Sequence, residues 1–174
     1  MMNTTQLIAD IERSREQLLQ RVQGLSAETA ARKPSASEWS VLDNVEHLYL
    51  AELSGVAKIW AALDALGQGQ RWTGERPNDG KPIEAIIAAT WQPKETAPPI
   101  ATPHIGGPLA FWISATRSLT PVLADLGRGL ANVTLEDVVF PHFLCGPLDA
   151  RQRLAFLRFH IDRHIEQIGR VLRG

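Results

Sequence analysis

Apolar residues recur at spacings of three and four in four long stretches of the chain, a period that predicts amphipathic helices. Leu7, Ile8, Ile11, Leu18, Leu19 and Val22 form one stripe over a helix from about Thr4 to Gln23, and Gly24 is placed to close it. In the following LSAETAARKPSASEWS, Pro34 and the serines break the pattern. Ser37 or Ser40 then serves as N-cap for a second helix over about Val41 to Leu66, with Gly67 after it. A third helix is expected over Leu109 to Leu126, kinked at Pro121 and ended by Gly127 and Gly129. The last runs from about Asp149, a good N-cap, to Leu172. Strand-like alternation is confined to Val138 to Phe140, too short to anchor a sheet. No internal repeat is visible. Four such helices predict an all-α fold, a four-helix bundle in a single domain spanning residues 1–174.

The connection from Gly67 to Pro108 departs from this pattern. It holds seven of the eleven prolines and six of the thirteen glycines, so regular structure must be sparse there. A short helix is expected at Ile83 to Trp91. A loop of this length in a compact domain is usually functional. Trp72, Ile83, Ile86, Ile87 and Trp91 give it apolar surface to bury, which predicts a lid folded over the bundle.

Composition narrows the function classes. Hydrophobic residues make up 44% and charged residues 21%, the balance of a soluble globular domain. A formal net charge of -1 gives no basic field for nucleic acid and no acidic excess for disorder. Cys145 is the single cysteine, so no internal disulfide forms and a reducing compartment fits. The first residues, MMNTTQLIADIERSREQ, lack the apolar core of a signal peptide, and no apolar run reaches membrane-spanning length. A cytoplasmic protein is the expectation, with no nucleic acid and no membrane among its partners.

Candidate chemistry lies in the histidines. His160 and His164 are an i, i+4 pair on the last helix, which sets their Cβ atoms about 5–6 Å apart on one face. One metal ion can bridge imidazoles at that spacing, with bonds of about 2.0–2.1 Å. On the helical wheel Leu154, Leu157, Ile161, Ile165, Ile168 and Leu172 form the buried stripe. His164 falls within its edge, and His160 sits on the border beside Phe156. Adjacent neutral imidazoles there need hydrogen-bond partners or a metal, unless both reach solvent.

A third ligand must come from another helix, and His47 is the candidate. The strongest apolar stripe of its helix, which includes Val45, Leu48, Val56 and Ile59, lies roughly opposite it. Its own face carries Asp43, Asn44, Ala51 and Ser54, all small or polar. Periodicity leaves two readings open. Either His47 is exposed, or its face lines a wet cavity of the kind a catalytic metal with an open position requires. In the second case the helix buries two faces, one of them available to another subunit, and a homodimer is expected. His104, in the Pro-rich connection, is expected to be solvated; His142 is a lesser candidate, and Cys145 reads as a small core residue. No Walker loop, dinucleotide glycine pattern or Ser-His-Asp order is present.

Two segments, EWSVLDNVEHLYLAE and HFLCGPLDARQRLAFLRFHIDRHIEQIGRVL, taken in this order on the second and last helices, resemble the DinB superfamily of DinB/YfiT-like proteins. The resemblance covers essentially the whole chain. It implies an up-down-down-up bundle, whose topology requires a long crossover between the second and third helices, and Gly67 to Pro108 would be that crossover. It implies a metal triad of His47, His160 and His164, and so favours the wet-cavity reading of His47. The metal would be one divalent transition ion, zinc, nickel or iron, which the ligand set does not discriminate. Similar proteins include mycothiol- and bacillithiol-dependent transferases and maleylpyruvate isomerases. A thiol-cofactor-dependent S-transferase or hydrolase-like enzyme acting on a small molecule, with a low-molecular-weight thiol as partner, is therefore one expectation. The alternative is a non-enzymatic, stress-related small-ligand-binding bundle with a vestigial or absent metal. Asp43, Asn44, Glu46 and Gln167 are placed to orient ligands or act as a base.

Overall fold

Three of the four long helices start at a side chain that caps them, and the fourth starts after Pro108. Helix α1, Thr4–Val22, begins where Asn3 Oδ1 accepts the Gln6 amide at 2.9 Å, and Gly24 follows its end with φ of 82°. A short helix α2, Ala27–Ala31, lies in the segment expected to be irregular; Ser26 caps it by accepting the Thr29 amide. Helix α3, Val41–Gly67, opens with a reciprocal capping box between Ser40 and Asp43. Helix α4, Ile83–Thr90, falls in the long connection close to its expected place. Helix α5 spans Leu109–Leu130 and contains Pro121. Strands β1, Val139–His142, and β2, Gly146–Asp149, pair antiparallel with Phe140 opposite Leu148. Helix α6, Ala150–Arg173, is capped by Asp149, which accepts the Gln152 amide while the Gln152 side chain accepts that of Asp149. The computed structural model describes residues 3–91 and 96–173, and among these the chain is mostly helical.

Two expectations change here. Helix α5 runs past Gly127 and Gly129 rather than ending at Leu126. A Cβ on Gly127 would meet Ile8, and one on Gly129 would meet Trp60 and Leu63, so both glycines are sites of close helix approach rather than stop signals. The segment at Val138 to Phe140 finds a partner strand across a turn closed by Gly146, whose φ is 71°. The hairpin is small, yet it delivers the chain directly into α6.

Helix α1 packs against α5 and α6, and α3 packs against the same two. Leu18, Val45, Ile59, Leu123, Leu126, Leu154 and Ile161 fill the space between them. A second apolar cluster joins Ile83, Ile86 and Ile87 of α4 to Cys145, Leu148 and Phe156. The long connection therefore folds back onto the hairpin and α6, as its apolar content predicts. Asn78 fastens it there, donating to the carbonyls of Cys145 at 2.7 Å and Pro147 at 3.1 Å. Among the described residues no helix is long and apolar enough to cross a membrane.

Candidate metal centre

Helices α3 and α6 bring His47, His160 and His164 together, with one ring nitrogen from each lying within 4.8 Å of the others. Ring centroids are 4.9 Å apart for His47 and His160, and 4.7 Å apart for the other two pairs. The His47 and His160 Nε2 atoms are 3.1 Å apart. Two ligands on a tetrahedral ion at about 2.0–2.1 Å stand roughly 3.3 Å from each other, so this donor set suits one small ion.

The partners of the rings decide where the lone pairs point. His47 Nδ1 lies 2.7 Å from the Ala101 carbonyl, which only accepts, so Nδ1 carries the proton and donates. His164 Nδ1 lies 2.7 Å from Asn44 Oδ1. The Asn44 amide is itself oriented, since its Nδ2 donates to the Ser40 carbonyl at 2.8 Å. Both rings thus keep Nε2 unprotonated and turned to the shared centre, the arrangement that metal-binding histidines obtain from outer hydrogen bonds.

All three rings are buried, with relative exposures of 4%, 7% and 4%. Burial depresses their basicity. For His160 and His164 the depression is strong, and the neighbouring imidazoles add to it. Neutral imidazole is the ligand form, and the site keeps it. The solvent-exposed alternatives for His47 and for the α6 pair are both excluded. The second face of α3 is covered within the chain itself, by α6 and by the crossover segment around Ala101. The buried face that suggested a subunit contact thus has an intramolecular cover.

The other sequence candidates separate by position. Asn44 orients His164, and Gln167 lines the cavity beside the histidines. Asp43 is engaged in the α3 cap and with Lys33. Glu46 accepts the backbone amides of His104 at 2.6 Å, Ile105 at 2.7 Å and Gly106 at 3.0 Å, which staples the crossover to α3. His104 is exposed, as expected. Cys145 is buried in the second cluster and burial raises its thiol pKa, consistent with a core role.

A cavity of about 830 Å³ opens from the three histidines between α3, α6, the hairpin and the crossover. Trp39 forms one wall, its ring 4.7 Å from His47. Phe156 stacks on His160 at 5.5 Å and Trp91 on Phe156 at 5.8 Å. His142 faces the same cavity with its ring 4.6 Å from Phe156, outside the three-histidine cluster. Two contributors escaped sequence reasoning. The Ala101 carbonyl has no side-chain signature, and Arg153, seven residues before His160 on the same face of α6, was not singled out although its spacing carried the signal.

A family model described as the DinB superfamily matches residues 10–168. The chain is also 28% identical over 162 residues to "Uncharacterized protein YuaE" of Bacillus subtilis (strain 168), covering 86% of this chain and 87% of that protein.

Proposed function

The chain belongs to the DinB superfamily, and from that premise we propose that it binds one divalent transition metal through His47, His160 and His164 and acts on a small molecule in the adjoining cavity. The observation that carries this reading is the pair of 2.7 Å hydrogen bonds from Nδ1 of His47 and His164 to carbonyl oxygens, which leaves their Nε2 lone pairs converging with His160. Three neutral imidazoles suit zinc, nickel or iron. When bound, such an ion supplies Lewis acidity at an open position, where a water or a substrate thiol loses its proton more readily.

The remaining steps belong to the chain. The Ala101 and Asn44 oxygens hold two rings in register, which limits the reorganisation needed on binding. Trp39, Trp91 and Phe156 exclude water from one side of the centre. Ser54 and Gln167 offer polar contacts to a substrate within the cavity. Thiol-dependent group transfer, or hydrolysis, is the reaction class we assign.

Named contacts also support the up-down-down-up arrangement. Ser14 meets Asp162 and Arg21 approaches Gly169, which aligns α1 with α6. Asn44 meets His164 while Gly55 meets Leu157, which opposes α3 to α6. Tyr49 packs on Trp112 and Trp60 on Gly129, which aligns α3 with α5.

Elemental analysis of the purified chain against a His160→Ala variant tests the proposal. One equivalent of metal in the wild type and a loss of most of it in the variant are expected. No stoichiometric metal in the wild type, or full retention in the variant, refutes the site. Turnover of electrophiles with a panel of low-molecular-weight thiols should be abolished by chelator. Chelator-insensitive turnover, or none, refutes the transferase assignment.

A further inference from the structure

The wall of the cavity remote from the histidines carries a buried cation with no countercharge among the described residues. Arg153 is 6% exposed, and its Nε has no hydrogen-bond partner among the described residues. Its guanidinium lies 3.9 Å over the Phe140 ring, and Nη2 donates to the Pro141 carbonyl at 3.3 Å. Burial lowers its pKa to about 10, and among the described residues the one ionisable group acting in its favour is the Cys145 thiol. Leaving a buried guanidinium so poorly compensated is costly, and structural arginines are normally paired. Arg15 of this same chain is paired, with Glu52 and Glu12.

The surroundings share its sign. Lys58, Arg153 and Arg163 line the cavity against a single carboxylate among the described lining residues, Glu38. Lys58 and Arg153 both act on His142, which places the two cations around that ring. His142 Nδ1 accepts the amides of Leu144 at 3.3 Å and Cys145 at 3.2 Å, so its proton resides on Nε2, a further donor. Between this end and the metal centre the walls are Phe156 and Leu157, with Gly55 opposite. Arg153 precedes His160 by seven residues, which is about 10 Å along the helix axis.

We propose that Arg153, with Lys58 and His142, is the subsite for the carboxylate of an elongated organic acid whose apolar body lies along Phe156 and whose other end reaches the three histidines. The guanidinium fork and a carboxylate match in a bidentate pair, and an entering carboxylate supplies the missing countercharge. The position of the reacting end rests on the metal reading above; the anion subsite stands without it.

Calorimetric titration of the full chain with octanoate and with octanol tests the subsite, before and after chelator treatment. Octanoate should bind better than octanol by about tenfold or more, the scale of one charged hydrogen-bonded pair, and chelator should leave that preference intact. Arg153→Met should erase the preference and, by removing an uncompensated buried charge, raise the thermal midpoint of the ligand-free chain. Lys58→Ala should weaken octanoate without touching octanol. Should Arg153→Met not fold, Arg153→Lys carries the same comparison, with the preference reduced but present. Equal binding of the two probes overturns the subsite. So does an unchanged preference in Arg153→Met, or a lowered midpoint with both probes lost, which is the signature of a purely structural arginine. Titration with ω-mercaptooctanoate reads the other end. It should exceed octanoate in affinity only when metal is present, and a preference for octanoate with no gain from the thiol keeps the subsite while refuting the metal.

Discussion

Two oxygens govern the candidate centre. The Asn44 side chain and the Ala101 carbonyl each accept a hydrogen bond from an Nδ1–H, and His47 and His164 turn Nε2 toward His160 because of that. Asn44→Ala removes one of them without touching a ligand. Metal affinity should fall by about 10- to 100-fold, the usual scale for such outer partners, while the fold persists; competition against a chelating dye measures it. The buried rings also predict an acid response. His142 is held at about 3 in the fold against 6.5 for a free ring, by burial first and then by Arg153 and Lys58. Above pH 6.5 both folded and unfolded chains leave the ring neutral, and its stability contribution is complete. Below it the unfolded chain takes a proton that the folded chain refuses. Stability is therefore lost as pH falls from 6.5 toward 3, by at most about 1.4 kcal/mol per pH unit for this ring. His47, His160 and His164 shift in the same direction. Urea denaturation over this range should give a shallower decline for His142→Gln than for wild type, and identical slopes would mean that the ring is not held neutral.

Among the elements, the crossover decides whether the centre is enclosed. Prolines and glycines deny it regular hydrogen bonds, so Glu46 supplies acceptors for three of its amides, and Trp112 Nε1 donates to the Gly106 carbonyl at 2.8 Å. Glu46→Gln presents an amide donor to other donors. It should destabilise the chain by roughly 2–3 kcal/mol, the scale of lost charged hydrogen bonds. Hydrogen exchange at His104, Ile105 and Gly106 should accelerate by more than in the bundle core, and uniform protection would show that Glu46 is not the staple. Elements with strong local signals were legible in advance: the Asp149 cap, the α3 cap as one of Ser37 or Ser40, the four stripes, and the short helix in the crossover. The continuation of α5 through Gly127 and Gly129 was not. Helix propensity disfavours glycine by about 1 kcal/mol, but close packing against Ile8 and Trp60 makes small residues useful there. The β1–β2 hairpin was missed because its pairing depends on Gly146 turning the chain, and each strand alone has only four residues.

For the molecule as a whole, a polar link crosses the interior away from the cavity. Arg15 of α1 pairs with Glu52 of α3 and donates to Thr120 of α5 at 3.0 Å, and both charges of the pair are buried. Burial works against the Arg15 charge, yet Glu52 and Glu12 hold its pKa above the usual value; burial pushes the Glu52 carboxyl up despite Arg15. Arg15→Met or Glu52→Leu alone should lose about 3–5 kcal/mol by stranding a buried charge, whereas the double variant should recover most of it. A double-mutant cycle by urea unfolding reads the difference, and additive losses would show that the pair is not coupled.

The helical architecture and the i, i+4 histidine pair follow from the amino-acid order, because caps and stripes are local and repeat with the period of one element. The role of His47 could not follow from that order. A wheel reports how one helix divides its own faces, and the His47 face looked polar because its cover comes from a segment some fifty residues away, at Ala101. The backbone carbonyl that orients His47 has no residue type to reveal it. That Arg153 meets no countercharge among the described residues is likewise a property of what folding brings near it, not of arginine. Helix packing and the return of the crossover turned two histidines and a third into one enclosed centre.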